Sequence, residues 1–246
     1  MKIFLFVILL AVGVFPVNAQ TSLLENVKVE YEKVIYVRQL IKELWGADAF
    51  ERWGSNLPQT ATYYYNYTAN QDGSLYKTGK EAGMEKGWWD DMFGSKNIVQ
   101  TDFKNKKLIS QKPVFEETFL VQDSLLNIKW KITPDTRTIA GFDCRKAIGI
   151  LNDSIAIFAF YTDEILVSGG PESIHGLPGL ILGMGVPRLH ATWFATKVEI
   201  NNGSINPLSP AKKTKKVTYR SMVDEIYRVL KNWGSEGGKL LVNFMI

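Results

Sequence analysis

The chain has 246 residues, 46% of them hydrophobic, with 29 Lys and Arg against 25 Asp and Glu and a formal net charge of +4. That is ample material for a sizeable core, too little charge for a disordered polyelectrolyte, and too mild a surplus for an obligate nucleic-acid binder. A single cysteine and two histidines exclude an internal disulfide, a CxxC zinc ribbon or iron–sulfur cluster, and almost all histidine-rich chemistry.

Residues 1–19, MKIFLFVILLAVGVFPVNA, read as an export signal. Lys2 supplies a positive start, Ile3 to Phe15 is an unbroken apolar run, and Val17-Asn18-Ala19 places small residues at the cleavage site. A membrane-spanning helix needs about 20 apolar residues, so no transmembrane segment is expected once the chain is cut before Gln20. The lone Cys144 then sits in an oxidising compartment, where a thiol must be buried, paired between chains or metal-bound. Residues 20–246 show no repeat and no low-complexity linker, and they read as a single domain.

Period-2 patterns dominate that domain. Val27 to Val37 alternates apolar with charged residues as a half-buried strand should. A helix is expected over Gln39 to Trp53, with Gly46 in its middle. Thr62 to Thr68 is dense in Tyr and Thr, and Asp72-Gly73 turns the chain into Ser74-Leu75-Tyr76. Further strands are expected at Thr118 to Val121, Leu126 to Thr133, Thr138 to Ile150 and Ile155 to Tyr161. Pro134-Asp135 and Asn152-Asp153 punctuate them, and the short connections imply antiparallel pairing. Leu180 to Val186 and Ala191 to Ile200 continue the series. Ser221 caps a helix carrying Met222, Ile226, Val229, Leu230 and Trp233 at helical spacing, and Gly234 stops it. A terminal strand at Leu240 to Phe244 would close or edge the sheet. The expected fold is mainly β, a curved antiparallel sheet or open half-barrel with one C-terminal helix, or α+β as the alternative.

The densest signal lies between the strands ending near Tyr161 and starting at Leu180. Gly169-Gly170-Pro171 and His175-Gly176-Leu177-Pro178-Gly179-Leu180-Ile181 bracket a loop in which glycines admit unusual backbone angles and prolines fix φ. Gly176 to Ile181 spells GLPGLI, and the chain resembles the GLPGLI family of secreted Bacteroidota proteins. Trp130-Lys131-Ile132, Ile139 to Ala147, Phe160 to Ile165 and Thr192 to Glu199 are similar to the pieces that surround that hexapeptide in the family. The resemblance implies a mostly β protein of the periplasm or cell envelope of a Gram-negative bacterium and carries no agreed activity with it. The loop itself reads either as a structural elbow or as a rim that shapes a ligand mouth or partner surface.

Three function classes follow. Binding of an apolar small molecule or an envelope protein, without catalysis, leads: aromatics are 12% of residues, and Trp88-Trp89 in a polar, Gly-bearing stretch is hard to assign to a core. The alternative is copper or zinc held by Cys144, His175, Met184 and His190, a thiolate, two imidazoles and a thioether; otherwise no cofactor is expected. The third is a hydrolase whose carboxylates cannot be placed, since the chain has no GxSxG, HExxH or GxxxxGK[ST]. The run Lys212-Lys213-Thr214-Lys215-Lys216 reads as a solvated loop or a protected edge strand, with contact to an anionic membrane surface or glycan as the alternative.

Overall fold

A computed structural model describes residues 25–81, 90–200, 204–234 and 237–246. The expected leader and Trp88-Trp89 lie outside the described residues.

The centre of the fold is β1 (Val27–Ile35), which pairs antiparallel with β2 (Ala61–Ala69) on one side and β11 (Ala191–Ile200) on the other. From β2 the sheet runs outward through β3 (Gly73–Thr78), β4 (Ile98–Asp102), β5 (Lys107–Val114) and β6 (Glu117–Ser124) to β12 (Lys215–Val217). From β11 it runs through β10 (Leu180–Val186), β9 (Ile155–Thr162) and β8 (Phe142–Leu151) to the edge strand β7 (Ile128–Ile139). Among the described residues the result is one open sheet of 12 strands. Every pairing is antiparallel except β12 on β6, so the sheet is mixed. Among the described residues, no helix is long and apolar enough to cross a membrane.

The alternation in β1 explains its central place. Val27, Val29, Tyr31 and Ile35 are buried on one parity, while Lys28, Glu30, Glu32 and Val34 on the other are half-buried. α1 (Val37–Trp53) follows and buries Val37, Leu40, Ile41 and Leu44. Gly46, at φ +82°, kinks it in the middle, a backbone angle that glycine adopts without Cβ strain. α2 (Tyr219–Leu230) turns Met222, Ile226 and Leu230 into the core. Its N-cap is Thr218 and not Ser221: the Thr218 hydroxyl accepts a hydrogen bond from the Ser221 amide at 3.2 Å.

Two local expectations need correction, and two strands lie where none was expected. Pro134-Asp135 does not end a strand; β7 passes through it with a break in pairing between Ile132 and Thr136, and the hairpin turns instead at Ala140-Gly141, at φ +49° and +87°. β4 and β5 carry buried Thr101, Ser110 and Lys112 at positions where an apolar alternation would show. Leu240 to Phe244 is not a strand. Two helical turns, Gly237–Leu240 and Val242–Met245, pass beneath α2 and bury Leu240, Val242, Phe244 and Ile246. A Cβ at Gly237 would sit 1.8 Å from the Leu230 carbonyl oxygen, so only glycine lets the chain pass that closely.

Candidate functional site

The segment between β9 and β10 is a tightly bonded plug. The Ser168 hydroxyl donates to the Leu177 carbonyl at 2.9 Å, the Ile181 amide to Gly169 at 2.9 Å, and the Gly179 amide to Leu177 at 2.9 Å. From the sheet edge, the Trp130 indole N–H donates to the His175 carbonyl at 2.9 Å. Close approach accounts for the glycines: a Cβ at Gly169 would lie 2.2 Å from the Tyr67 hydroxyl, and one at Gly170 2.7 Å from the Ile181 Cβ. Of the segment's motif residues, Gly176 and Pro178 reach the surface, His175 is half-buried, and Gly169, Gly170, Pro171, Leu177, Gly179, Leu180 and Ile181 are buried.

The plug's chemical content is Glu172, which the sequence reading passed over. It is buried and held at φ +55°, a left-handed angle that costs a non-glycine residue about 1 kcal/mol or more. Glu172 Oε1 lies 3.3 Å from Lys33 Nζ, and Oε2 accepts from Asn97 Nδ2 at 3.2 Å. Lys33 donates to the Phe93 carbonyl at 2.6 Å and stands over the Trp193 ring, 4.7 Å from its centroid. Lys112 on β5 donates to the Ile246 backbone oxygen at 2.5 Å, and Asn97 reaches the same oxygen at 3.5 Å. Burial disfavours both ammonium groups. It lowers the Lys33 pKa against the opposing pull of Glu172, and brings Lys112 down to about 8. The cavity beside Lys33 measures about 10 Å³, room for at most one water, so this network is sealed. It ties β1, β5, the plug, the turn before β4 and the chain's last residues into one unit. A signal for it exists in the sequence: Lys33 falls on the buried parity of β1, where its neighbours are Tyr31 and Ile35.

The four candidate metal ligands do not come together. Cys144 is buried with Tyr31, Tyr67, Leu180 and Leu182, whereas Met184 belongs to the other core cluster, with Met222 and Trp193. Desolvation pushes the Cys144 thiol up to about 12, so it stays protonated in this apolar setting. His190 Nε2 is bonded to Glu43 on α1. His175 lies in the plug, its Nε2 buried and unpartnered in the hydrogen-bond network. Among the described residues, no group of three or more His, Cys, Asp or Glu could hold a metal ion. The copper or zinc reading is therefore withdrawn.

His175 carries a pH signature. Burial lowers its pKa below the ordinary imidazole value of 6.5. The unfolded chain thus binds a proton that the folded chain refuses, and stability must fall as pH drops below about 6.5. His175→Gln is expected to flatten that acid limb in urea titrations run between about pH 7 and 5. An unchanged limb in the variant would remove His175 as its source.

Open surface lies elsewhere. At the turn ends of β2–β3 and β4–β5, Asn70, Asp72, Gln100, Asp102, Lys104 and Asn105 line a polar cleft of about 380 Å³. At the opposite, hairpin end of β5–β6, Phe115 and Trp233 face an apolar groove of about 350 Å³ flanked by Glu116, Glu117 and Glu225.

Residues 96–224 match the family model described as the N-glycanase peptide, N-terminal domain. Two solved structures share the fold: "Structure of PNGF-II in P21 space group", at 16% identity and a TM-score of 0.54, and "Structure of PNGF-II in C2 space group", at 17% and 0.51. Each comparison covers 84% of this chain but only 34% and 33% of the solved chains, so the protein spans about a third of their length. No curated protein sequence matches. These findings overturn the resemblance to the GLPGLI family. The hexapeptide at 176–181 falls inside the matched N-glycanase region, and within it Gly179 is required sterically, since a Cβ there would sit 2.0 Å from the Thr162 carbonyl oxygen. The expectation of a non-catalytic binder of apolar ligands or envelope proteins falls with it.

Proposed function

Because the chain belongs to the N-glycanase peptide N-terminal domain family, we propose that it is an exported glycan-processing protein of hydrolase type that engages N-glycosylated proteins. The family match carries this reading: it runs from the turn before β4 into α2 and takes in the plug, β5, β6 and every strand from β7 to β12. The chemistry of the open surface, and not of the sealed interior, supports it. The buried Lys33–Glu172 network is closed to any substrate, so it serves the fold. The open clefts carry amides, carboxylates and exposed aromatic rings, the groups that hydroxyl-rich ligands use. Export rests on the leader at residues 1–19, and residues 20–246 form one domain in this reading.

The test uses the chain expressed with its leader and purified after export. Its intact mass should begin at Gln20. Immobilised, it should retain an N-glycosylated protein and release the same protein after its N-glycans have been removed. Equal retention of the two forms, or of neither, ends the glycan reading.

A further inference from the structure

The apolar groove at the β5–β6 hairpin has features that core packing does not explain. Phe115 is the first loop residue of a two-residue hairpin, since Val114 pairs with Glu117 across it. Its φ is +54°, at a place where such turns favour glycine or asparagine. An aromatic side chain held there is strained, and strain that persists points to a use. Nor does the ring gain full burial: Phe115 is 36% exposed and Trp233, against which it packs with centroids 5.3 Å apart, is 51% exposed.

The rings are nevertheless fixed in place. Phe244 packs behind Phe115 at 5.4 Å between centroids, and the segment bearing Phe244 ends at Ile246, the residue anchored by Lys112 and Asn97. The sealed network thus braces the groove from behind. Rings that do not have to reorganise lose little entropy on binding. Val229 completes the apolar wall, and the rim is acidic: Glu116 and Glu117 are exposed, and Glu225 is ion-paired with Lys215.

Within the glycan reading, an aromatic face ringed by carboxylates fits a sugar ring. A pyranose presents an apolar C–H face for stacking on aromatic rings, and around its edge hydroxyl groups that donate to carboxylate oxygens. Glu116 and Glu117 disfavour an anionic ligand, and a hydroxyl-bearing ligand can replace the water on these exposed carboxylates with hydrogen bonds of its own, as a purely apolar one cannot. We infer that the Phe115–Trp233 groove binds a neutral pyranose ring of an N-linked glycan, with Glu116 and Glu117 accepting hydrogen bonds from its hydroxyls. This assignment rests on the glycan reading above and adds the site.

Isothermal titration of an N-glycosylated peptide, and of the same peptide after removal of its glycan, tests the assignment. Three proteins are compared with wild type: Trp233→Ala, Phe115→Gly and the Glu116→Gln/Glu117→Gln double variant. Phe115→Gly relieves the strained φ while deleting the ring, so it should stay folded, as checked by circular dichroism. Wild type should bind only the glycosylated peptide, and each aromatic variant should bind at least about tenfold more weakly. Glycopeptide binding left unchanged in all three variants overturns the groove and leaves the glycan reading standing. Equal binding of both peptides makes the groove a peptide dock and overturns the assignment. Binding of neither peptide overturns the glycan reading and the groove together.

Discussion

Glu172→Met is expected to cost about 3–5 kcal/mol of folding stability, the range for removing one partner of a buried ion pair. The cost does not measure the attraction between Glu172 and Lys33 at 3.3 Å. It arises because Glu172 holds Lys33 and Lys112, both buried, toward their charged forms, and without it each must either carry an uncompensated ammonium or give up its proton. Asn97 Nδ2 loses an acceptor at the same time. Lys33→Met should be similarly costly, because it strands Glu172 and frees the Phe93 carbonyl. Combining the two removes both charges, and the double variant should be more stable than the sum of the singles predicts by more than about 1 kcal/mol. Urea unfolding of the four proteins in one buffer measures this directly. Strictly additive losses, or single losses below about 1 kcal/mol, would show that the pair is solvated in solution and that the network does not brace the core.

How far the sequence reports this architecture depends on whether a residue's partner is local. The alternation of Val27, Val29, Tyr31 and Ile35 identifies β1, because parity on a strand is a local property. The same parity exposes Lys33 as the one charged member of a buried row, a sign that some carboxylate must meet it. Which carboxylate cannot be read: Glu172 lies 139 positions away, and its place depends on how the plug folds. β4 and β5 escape detection because polar residues occupy buried positions, Thr101 on β4 and Ser110 and Lys112 on β5, and break the apolar alternation. The groove shows the converse. Glu116 looks like ordinary hairpin surface, and Phe115 beside it draws notice only once its φ of +54° is known. Cys144, His175, Met184 and His190 form a plausible ligand set as a list of residue types. Two separate core clusters divide Cys144 from Met184, and residue type contains nothing about that.

The hexapeptide at 176–181 can be put to a steric test. Gly179→Ala is expected to be among the most destabilising single substitutions in the chain, about 4 kcal/mol or more. At φ +149° an added Cβ would sit 2.0 Å from the Thr162 carbonyl oxygen, 2.7 Å from its carbon and 3.0 Å from the Asp163 Cα. All three are backbone atoms, and Thr162 is locked in the pairing of β9 with β10 opposite Leu180. Relief requires the strands to part at the point where the plug enters the sheet. Gly176→Ala, three residues earlier, is the internal control. Its φ is +98°, but its nearest contact is the Trp130 indole nitrogen at 3.4 Å. It therefore meets backbone strain without a clash and should cost only about 1–3 kcal/mol. A ratio near one between the two losses would mean that backbone angle alone, and not the approach of Gly179 to Thr162, sets the glycine requirement. A much larger loss at Gly179 would place the constraint at the seam that positions Glu172. The hexapeptide would then be a condition for the buried network, with no ligand of its own, and the search for a glycan contact would belong at the hairpin groove.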